Sequence, residues 1–256
     1  NYSHVFNEKH NVGALVLYEE STREADNFYA SRELGVPLDY LFAGKAENQV
    51  GNSNIDGIWK NENKGLVGRF NYDYQGKYIA EFSFRYDGSS KFPTDKQWGF
   101  FPAASIGWRI SEEAFFQDLV PSSILSNMKV RASYGIMGDD RASSYQFISG
   151  YDYPYNGNAR FLTGNYMFGS SLVNSLGFRS SPNMNITWYE SKTANIGIDM
   201  NFWNGLLDVS YDMFRRNRDG LLANRLLSIP GTFGSTMPQE NLNSDQTSGF
   251  EFTLGH

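Results

Sequence analysis

Side chains able to do chemistry are few in this sequence and widely scattered. The three histidines are His4, His10 and His256, and no carboxylate stands at metal-ligand spacing to any of them. No serine carries a nucleophile motif, so hydrolase chemistry is not expected. Cysteine is absent, which removes disulfides, Cys-based zinc sites and thiol catalysis. Asp139-Asp140 could join a calcium site in a loop, but two adjacent acids are more often simply solvated. The segment Asp87-Gly88-Ser89-Ser90 allows two readings. Either its acid and hydroxyls touch a substrate, or they serve a turn, with Asp87 and Ser89 bonding local backbone and Gly88 permitting the bend; the turn is the expectation. No catalytic residue, metal ligand or cofactor is expected, and no substrate-binding residue is assigned.

The elements that would position these groups are strands. From Leu66 the even positions read Leu66, Gly68, Phe70, Tyr72 and Tyr74. After a turn at Gln75-Gly76 they resume as Tyr78, Ala80, Phe82, Phe84 and Tyr86, while Arg69, Asp73, Lys77, Glu81, Arg85 and Asp87 hold the odd positions. A period of two kept this long marks strands with one aromatic and one charged face. The same alternation runs through residues 10–20, 100–110, 127–137, 187–202, 207–213 and 247–254, giving eight countable strands. Pro102 sits early in its strand, where it implies a strand end or weakly paired backbone. Ser111 is positioned to cap a short helix ending before Pro121, with Glu112 and Glu113 in its first turn. Asn204-Gly205 signals a type I′ hairpin.

The connections alternate in length. Compact ones fall at 75–77, 111–126 and 204–205, and long ones at 21–63, 88–98, 138–185 and 219–245. Antiparallel neighbours then place every short turn at one end and every long loop at the other, as in outer-membrane barrels. Composition agrees: 16% of residues are aromatic, and no apolar run is long enough for a spanning helix, whereas a barrel strand needs only about 9–11 residues with every second one apolar. The formal net charge of −6, without a Lys/Arg cluster, argues against nucleic acid as a partner. The fold expected is all-β, an antiparallel transmembrane β-barrel present in part. Its alternation still runs at both ends, so further strands are expected elsewhere. On this reading the even positions face lipid, and Arg69, Glu81, Arg85, Arg109, Lys129 and Arg131 face a lumen, in ion-pair networks more often than against substrate. Trp98, Trp108, Trp188 and Trp203 lie near strand ends. An interfacial girdle is expected for Trp108 and Trp203, core packing being the alternative. Tyr151, Tyr153 and Tyr155 could stack on sugar rings or pack within their loop. Two other architectures remain open: a secreted, Tyr-rich β-sandwich that binds carbohydrate, and a small independent porin in which residues 10–20 pair with 247–256.

Ordered blocks then point to a family. Asp87-Gly88-Ser89-Ser90, Gly99-Phe100-Phe101-Pro102, Gly107-Trp108-Arg109 and Arg131-Ala132-Ser133-Tyr134-Gly135, followed by Trp188 and by Asn195-Ile196-Gly197, resemble the barrel of SusC/RagA-type TonB-dependent transporters. The resemblance covers roughly residues 63–256. It implies a barrel of about 22 strands, of which residues 1–256 supply about 8–10, with a plug domain inside. It also implies nutrient import across the bacterial outer membrane, powered by a TonB complex and assisted by a SusD-like surface lipoprotein, with an oligosaccharide or peptide as cargo. Nothing in the sequence matches the plug, the signal peptide or the closing C-terminal strand. The motif residues are expected to be structural.

Overall fold

The computed structural model describes residues 1–53, 57–152, 165–174, 176–178, 180–225, 230, 232 and 235–256. In chain order the elements are β1 (Tyr2–Phe6), β2 (His10–Ala25), β3 (Tyr29–Ser31), β4 (Val50–Asn52), β5 (Trp59–Tyr74), β6 (Tyr78–Ser89), β7 (Trp98–Arg109), α1 (Ala114–Leu119) and β8 (Leu125–Asp139). They continue with β9 (Tyr151–Asp152), β10 (Asn165–Phe168), β11 (Ser171–Asn174), β12 (Gly177–Phe178), β13 (Tyr189–Phe202), β14 (Leu207–Asn224) and β15 (Gln239–Gly255). Nine of these strands form one antiparallel sheet in the order β1-β2-β5-β6-β7-β8-β13-β14-β15. The rest make three two-stranded ribbons, β3 with β4, β9 with β12 and β10 with β11, all within the long connections.

The expected sidedness is present. Turns at 7–9, 75–77 and 203–206, together with the helical connection 110–124, lie at one end of the sheet, and the long connections lie at the other. Several local expectations need correction. The strand β1 escaped notice because its turn carries no glycine: Asn7 and Glu8 themselves adopt φ of 50° and 57°. At Asn204-Gly205 the connection is four residues, not two, and Trp203, Asn204 and Gly205 all have positive φ. The loop expected at 219–245 shrinks to 225–238, because β14 and β15 continue far past their apolar stretch as a polar ladder with register shifts near Leu221. Ser111 caps nothing. It lies buried in a 3-10 turn, its Oγ 3.3 Å from Asn127 Oδ1, and α1 starts after Glu113 without a side-chain cap.

The two faces differ. Phe82, Phe100, Ile106, Ile196, Phe250 and Phe252 lie on one face and stay largely exposed, Ile106 at 65% and Phe250 at 72%. The other face carries the charged positions, and at its loop end the long connections fold over it and bury Ser89, Phe101 and Ser191. This arrangement excludes the β-sandwich: among the described residues no second large sheet covers the apolar face. It also excludes the small closed porin, since β1 and β15 stand at opposite edges of the sheet.

The apolar stretch does not follow the hydrogen-bond rows. On β2 it is centred near residue 15, which shares a row with Ser83 of β6 through Arg69. On β14 it is centred near Ser210, and the rows through Lys129 and Arg109 connect Ser210 back to Lys77. The drift is about six residues, roughly 20 Å, across six strand steps of about 4.8 Å each. A level apolar band therefore requires strands tilted by about 30–35°, near the inclination that closed transmembrane barrels use.

Candidate functional site

The polar face has two centres of side-chain chemistry. The first is at the loop end. The strand β6 runs through Asp87-Gly88-Ser89 and ends there, with Gly88 paired to Lys64 on one side and Trp98 on the other. The expected turn is present in part: Ser90 opens the bend at 90–97 and Ser89 Oγ accepts the Lys91 N–H at 3.5 Å, but Asp87 and Gly88 stay in the strand. Asp87 instead accepts both hydrogen bonds of a fork from Arg85, at 2.8 and 3.0 Å, and Arg85 also reaches Glu19 at 3.1 Å. Ser89 is buried and donates to Asp140 at 2.9 Å; Asn63 donates to the same carboxylate oxygen at 3.1 Å, and the Lys91 ammonium lies 3.5 Å from it. Ser90 accepts from the Glu62 N–H and donates its own N–H to the Glu62 carbonyl. Strands β5 and β6 and the connections that follow β6 and β8 are thereby pinned to one carboxylate and its neighbours. Burial opposes ionisation of Asp140, but the Asn63 and Ser89 hydrogen bonds and the Lys91 charge outweigh it and hold the carboxyl below its usual range. Asp139 is taken by Arg141 and the Tyr189 hydroxyl. Both carboxylates are thus engaged by side-chain partners rather than freely solvated.

Beside this node lies an aromatic knot. Trp188 packs at a tilt against Phe92 and edge-on to Phe101, with centroids 5.2 Å apart in both cases, and its indole N–H donates to the Gln97 carbonyl at 3.0 Å. Phe92 and Ile186 are fully buried. Trp188 is therefore core, not girdle. The Phe101 ring occupies the space over Gly99 and Gly138, where a Cβ would approach it to 2.2 and 2.0 Å. Pro102 follows directly. It sits in register with Phe84 of β6, but the ladder to β8 starts only at Ala103, as a missing N–H requires.

The second centre is at mid-sheet. Arg131 on β8 donates to Asp199 of β13 at 3.0 and 3.2 Å and to Asp212 of β14 at 2.7 Å twice, so one guanidinium binds two carboxylates on the next two strands. Ser210 completes the group, donating to Asp199 at 2.8 Å. Gly197 lies beneath; a Cβ there would fall 2.6 Å from Asp212 Oδ1 and 2.7 Å from Arg131 Cζ. Next to it is a shallow recess of about 230 Å³ lined by Ser105, Gly107, Lys129, Ser133 and Asn195 among others. Gly135 faces Ala103 across the ladder.

Of the motif residues on the apolar face, Trp108 and Tyr134 are both exposed. Trp108 stacks on Tyr78, and both donate to Glu113 Oε1, at 3.2 and 2.6 Å. Trp98 stacks on Tyr86 at the opposite end of the same strands, 4.9 Å between centroids. Trp203 lies exposed in its turn. Tyr151 lies on the exposed ribbon of β9, while Tyr153 and Tyr155 fall outside the described residues.

Residues 2–256 match the family described as TonB dependent receptor-like, beta-barrel. The chain belongs to this family. Among its relatives, the TonB-dependent receptor P39 of Formosa agariphila is 31% identical over 263 residues, covering 99% of this chain and 23% of that protein. The TonB-dependent receptor SusC of Bacteroides thetaiotaomicron is 32% identical over 192 residues, covering 73% of this chain and 18% of its own length. In fold, the chain superposes on a solved structure of the RagAB peptide transporter with a TM-score of 0.79 at 22% identity, over 99% of this chain and 26% of that one. The chain thus spans about a quarter or less of each relative. Within a TonB-dependent receptor barrel an open nine-stranded sheet is a section of wall, as the sequence resemblance implied.

Two features of this barrel section were not fully legible in the sequence. The ion-pair network expected at Arg131 is present, but its partners Asp199 and Asp212, 68 and 81 positions away, are brought to it only by strand register. The knot of Phe92, Phe101 and Trp188 was hidden because Phe101 falls on the polar phase of β7; a bulky aromatic out of phase was its one signal.

Proposed function

We propose that residues 1–256 are wall of the barrel of an energised outer-membrane importer, with its plug elsewhere in the polypeptide, and that the apolar face meets lipid while the polar face lines the lumen. The carrying observation is the two-faced sheet with rings of aromatics at both ends of its apolar band. On β6 the band runs from Tyr78, stacked with Trp108, to Tyr86, stacked with Trp98. Eight residue steps at about 3.3 Å, on strands inclined by about 30–35°, span roughly 22 Å. An apolar belt about 25 Å tall between aromatic girdles is what an outer-membrane barrel presents to lipid. Trp108 and Trp203 then lie at the periplasmic interface, and the long connections face outward.

The motif residues on this reading build the wall. Asp87, Ser89, Ser90, Gly99, Phe101, Pro102 and Trp188 fasten the external loops, while Gly107, Arg131, Ser133, Gly135, Asn195 and Gly197 shape the lumenal surface. The cargo we infer is an oligosaccharide or a peptide, received with a SusD-like surface lipoprotein and moved at the expense of a TonB complex. The family membership and the likeness to SusC and to the RagAB peptide transporter support this. Import rather than turnover is the inferred activity, since the matched family and relatives are named as receptors and transporters.

In-frame deletion of the intact gene tests the reading. Cells should lose uptake of fluorescent oligosaccharides or of fluorescent peptides, and the tagged receptor should co-purify with a surface lipoprotein. Unchanged uptake of both cargo classes, with no lipoprotein recovered, would overturn it.

A further inference from the structure

The girdle and the aromatic knot leave one tryptophan unexplained. Trp98, Trp108, Trp188 and Trp203 have their places; Trp59 has not. It opens β5 in register with Ala25 of β2. By strand alternation it shares the polar face with Asn61, Asn63 and Arg69, so it does not belong to the rings that meet lipid. Its ring is 41% exposed and meets no other aromatic among the described residues. It lines an open cleft of about 1370 Å³ at the loop end, walled by the close of β2, the start of β5 and the connections after β6 and β8.

Hydrogen bonds hold these walls together. The connection after β8 is fastened across the head of β5, with Ser144 donating to Asn61 Oδ1 at 2.6 Å and the Tyr145 hydroxyl to the Lys60 carbonyl at 2.7 Å. Tyr145, also in the lining, holds a φ of 59°, rare for an aromatic residue, and stays 37% exposed. The charges around the cleft largely cancel. Lys60 stands opposite Glu24 in the ladder and lies 2.8 Å from Glu62, and Lys91 lies 3.5 Å from Asp140. Asp26 is the lining charge without a partner among the described residues. Its carboxylate, the amide nitrogen of Asn61 and the hydroxyl of exposed Ser143 are the open hydrogen-bonding groups beside the two aromatics. Such a wall suits a ligand that is neutral, apolar on its flat faces and hydroxylated around its rim. A pyranose ring has that form, with C–H groups to lay on an aromatic and hydroxyls that both donate and accept. A cationic side chain would meet Lys60 and Lys91 as well as Asp26.

We propose that this cleft is a subsite for a neutral oligosaccharide at the outer mouth, with one pyranose ring laid on Trp59 and its hydroxyls held by Asp26, Asn61 and Ser143. Pockets for small ligands measure about 300–1,000 Å³, so this one has room for more than one sugar ring. The inference rests on the importer reading and chooses the glycan from its two cargo classes.

The test screens the intact protein in detergent on an array of neutral oligosaccharides and titrates the strongest by calorimetry. At least one should bind. W59A should weaken it about tenfold or more, and W59F much less, because an aromatic platform survives. D26N should also weaken it, whereas W203F, at the opposite end of the sheet, should leave it unchanged. No oligosaccharide bound, or one bound equally by wild type and W59A, would overturn the subsite; so would binding of tri-lysine that W59A abolishes. Returning the gene to the deletion strain separates that failure from failure of the importer reading. Uptake of either cargo class that W59A leaves unaltered removes the subsite alone, and no uptake of either class with the wild-type gene removes the reading itself. Heat-modifiable migration on gels shows that each variant has folded.

Discussion

Arg131 shows how much one side chain organises. It spans three strands by binding Asp199 and Asp212 together, and Gly197 leaves the space in which it does so. Breaking one partner of a fully buried pair costs about 3–5 kcal/mol. Arg131 keeps 33% of its side chain exposed, so R131Q should cost about 1–2 kcal/mol, read as a lower unfolding midpoint in denaturant. G197A should cost a similar amount by displacing the guanidinium, and the two should be non-additive by at least ~0.5 kcal/mol in a double-mutant cycle, because both strike the same contact. Asp140 makes a pH-dependent prediction. Its carboxyl is held low in the folded protein, so the stabilisation it gives is complete above the ordinary carboxylate range and disappears as pH falls through the lowered value. Hydrogen-exchange protection of the 90–97 loop should therefore fall on acidification, and D140N should be unprotected already at neutral pH and lose little more in acid.

At the scale of elements, the loops are fastened rather than loose. Phe92 from one connection and Trp188 from another close on Phe101 of β7. Truncating a buried aromatic typically costs about 3–5 kcal/mol and Trp188 is half-buried, so W188A should cost less than that yet release both connections to protease while the sheet keeps its circular-dichroism signal. The strands themselves were legible because alternation is a local signal: Phe82 and Phe84 against Ser83 and Arg85 need no knowledge of the neighbours. Loop contacts were not. The local bond of Ser89 to the Lys91 N–H was legible, but its bond to Asp140, 51 positions away, was not, and Ser111 looked like a cap because Asn127 was out of sight. The turn at Asn7-Glu8 was illegible for another reason, since residues with side chains rarely adopt positive φ and the sequence gives no glycine to mark it. The polar extension of β14 and β15 was missed because alternation vanishes once a strand leaves the apolar band, although its backbone ladder continues.

For the whole molecule, the account rests on two solvents for two faces. The tilt of about 30–35°, inferred from the drift of the apolar stretch, and the sided connections both follow if the band is level in a bilayer. Adjacent residues on β7 report the two sides. Ser105 points to the polar face and Ile106 to the apolar one, and both are exposed in the open sheet. Nitroxide labels placed singly at Ser105 and Ile106 of the intact protein in bilayers should differ sharply in collision rates. The label at position 106 should meet oxygen far more than a water-soluble nickel chelate, and the label at 105 the reverse. Equal access to the nickel chelate at both positions, or a reversed pair, would contradict the assignment of lipid and lumen.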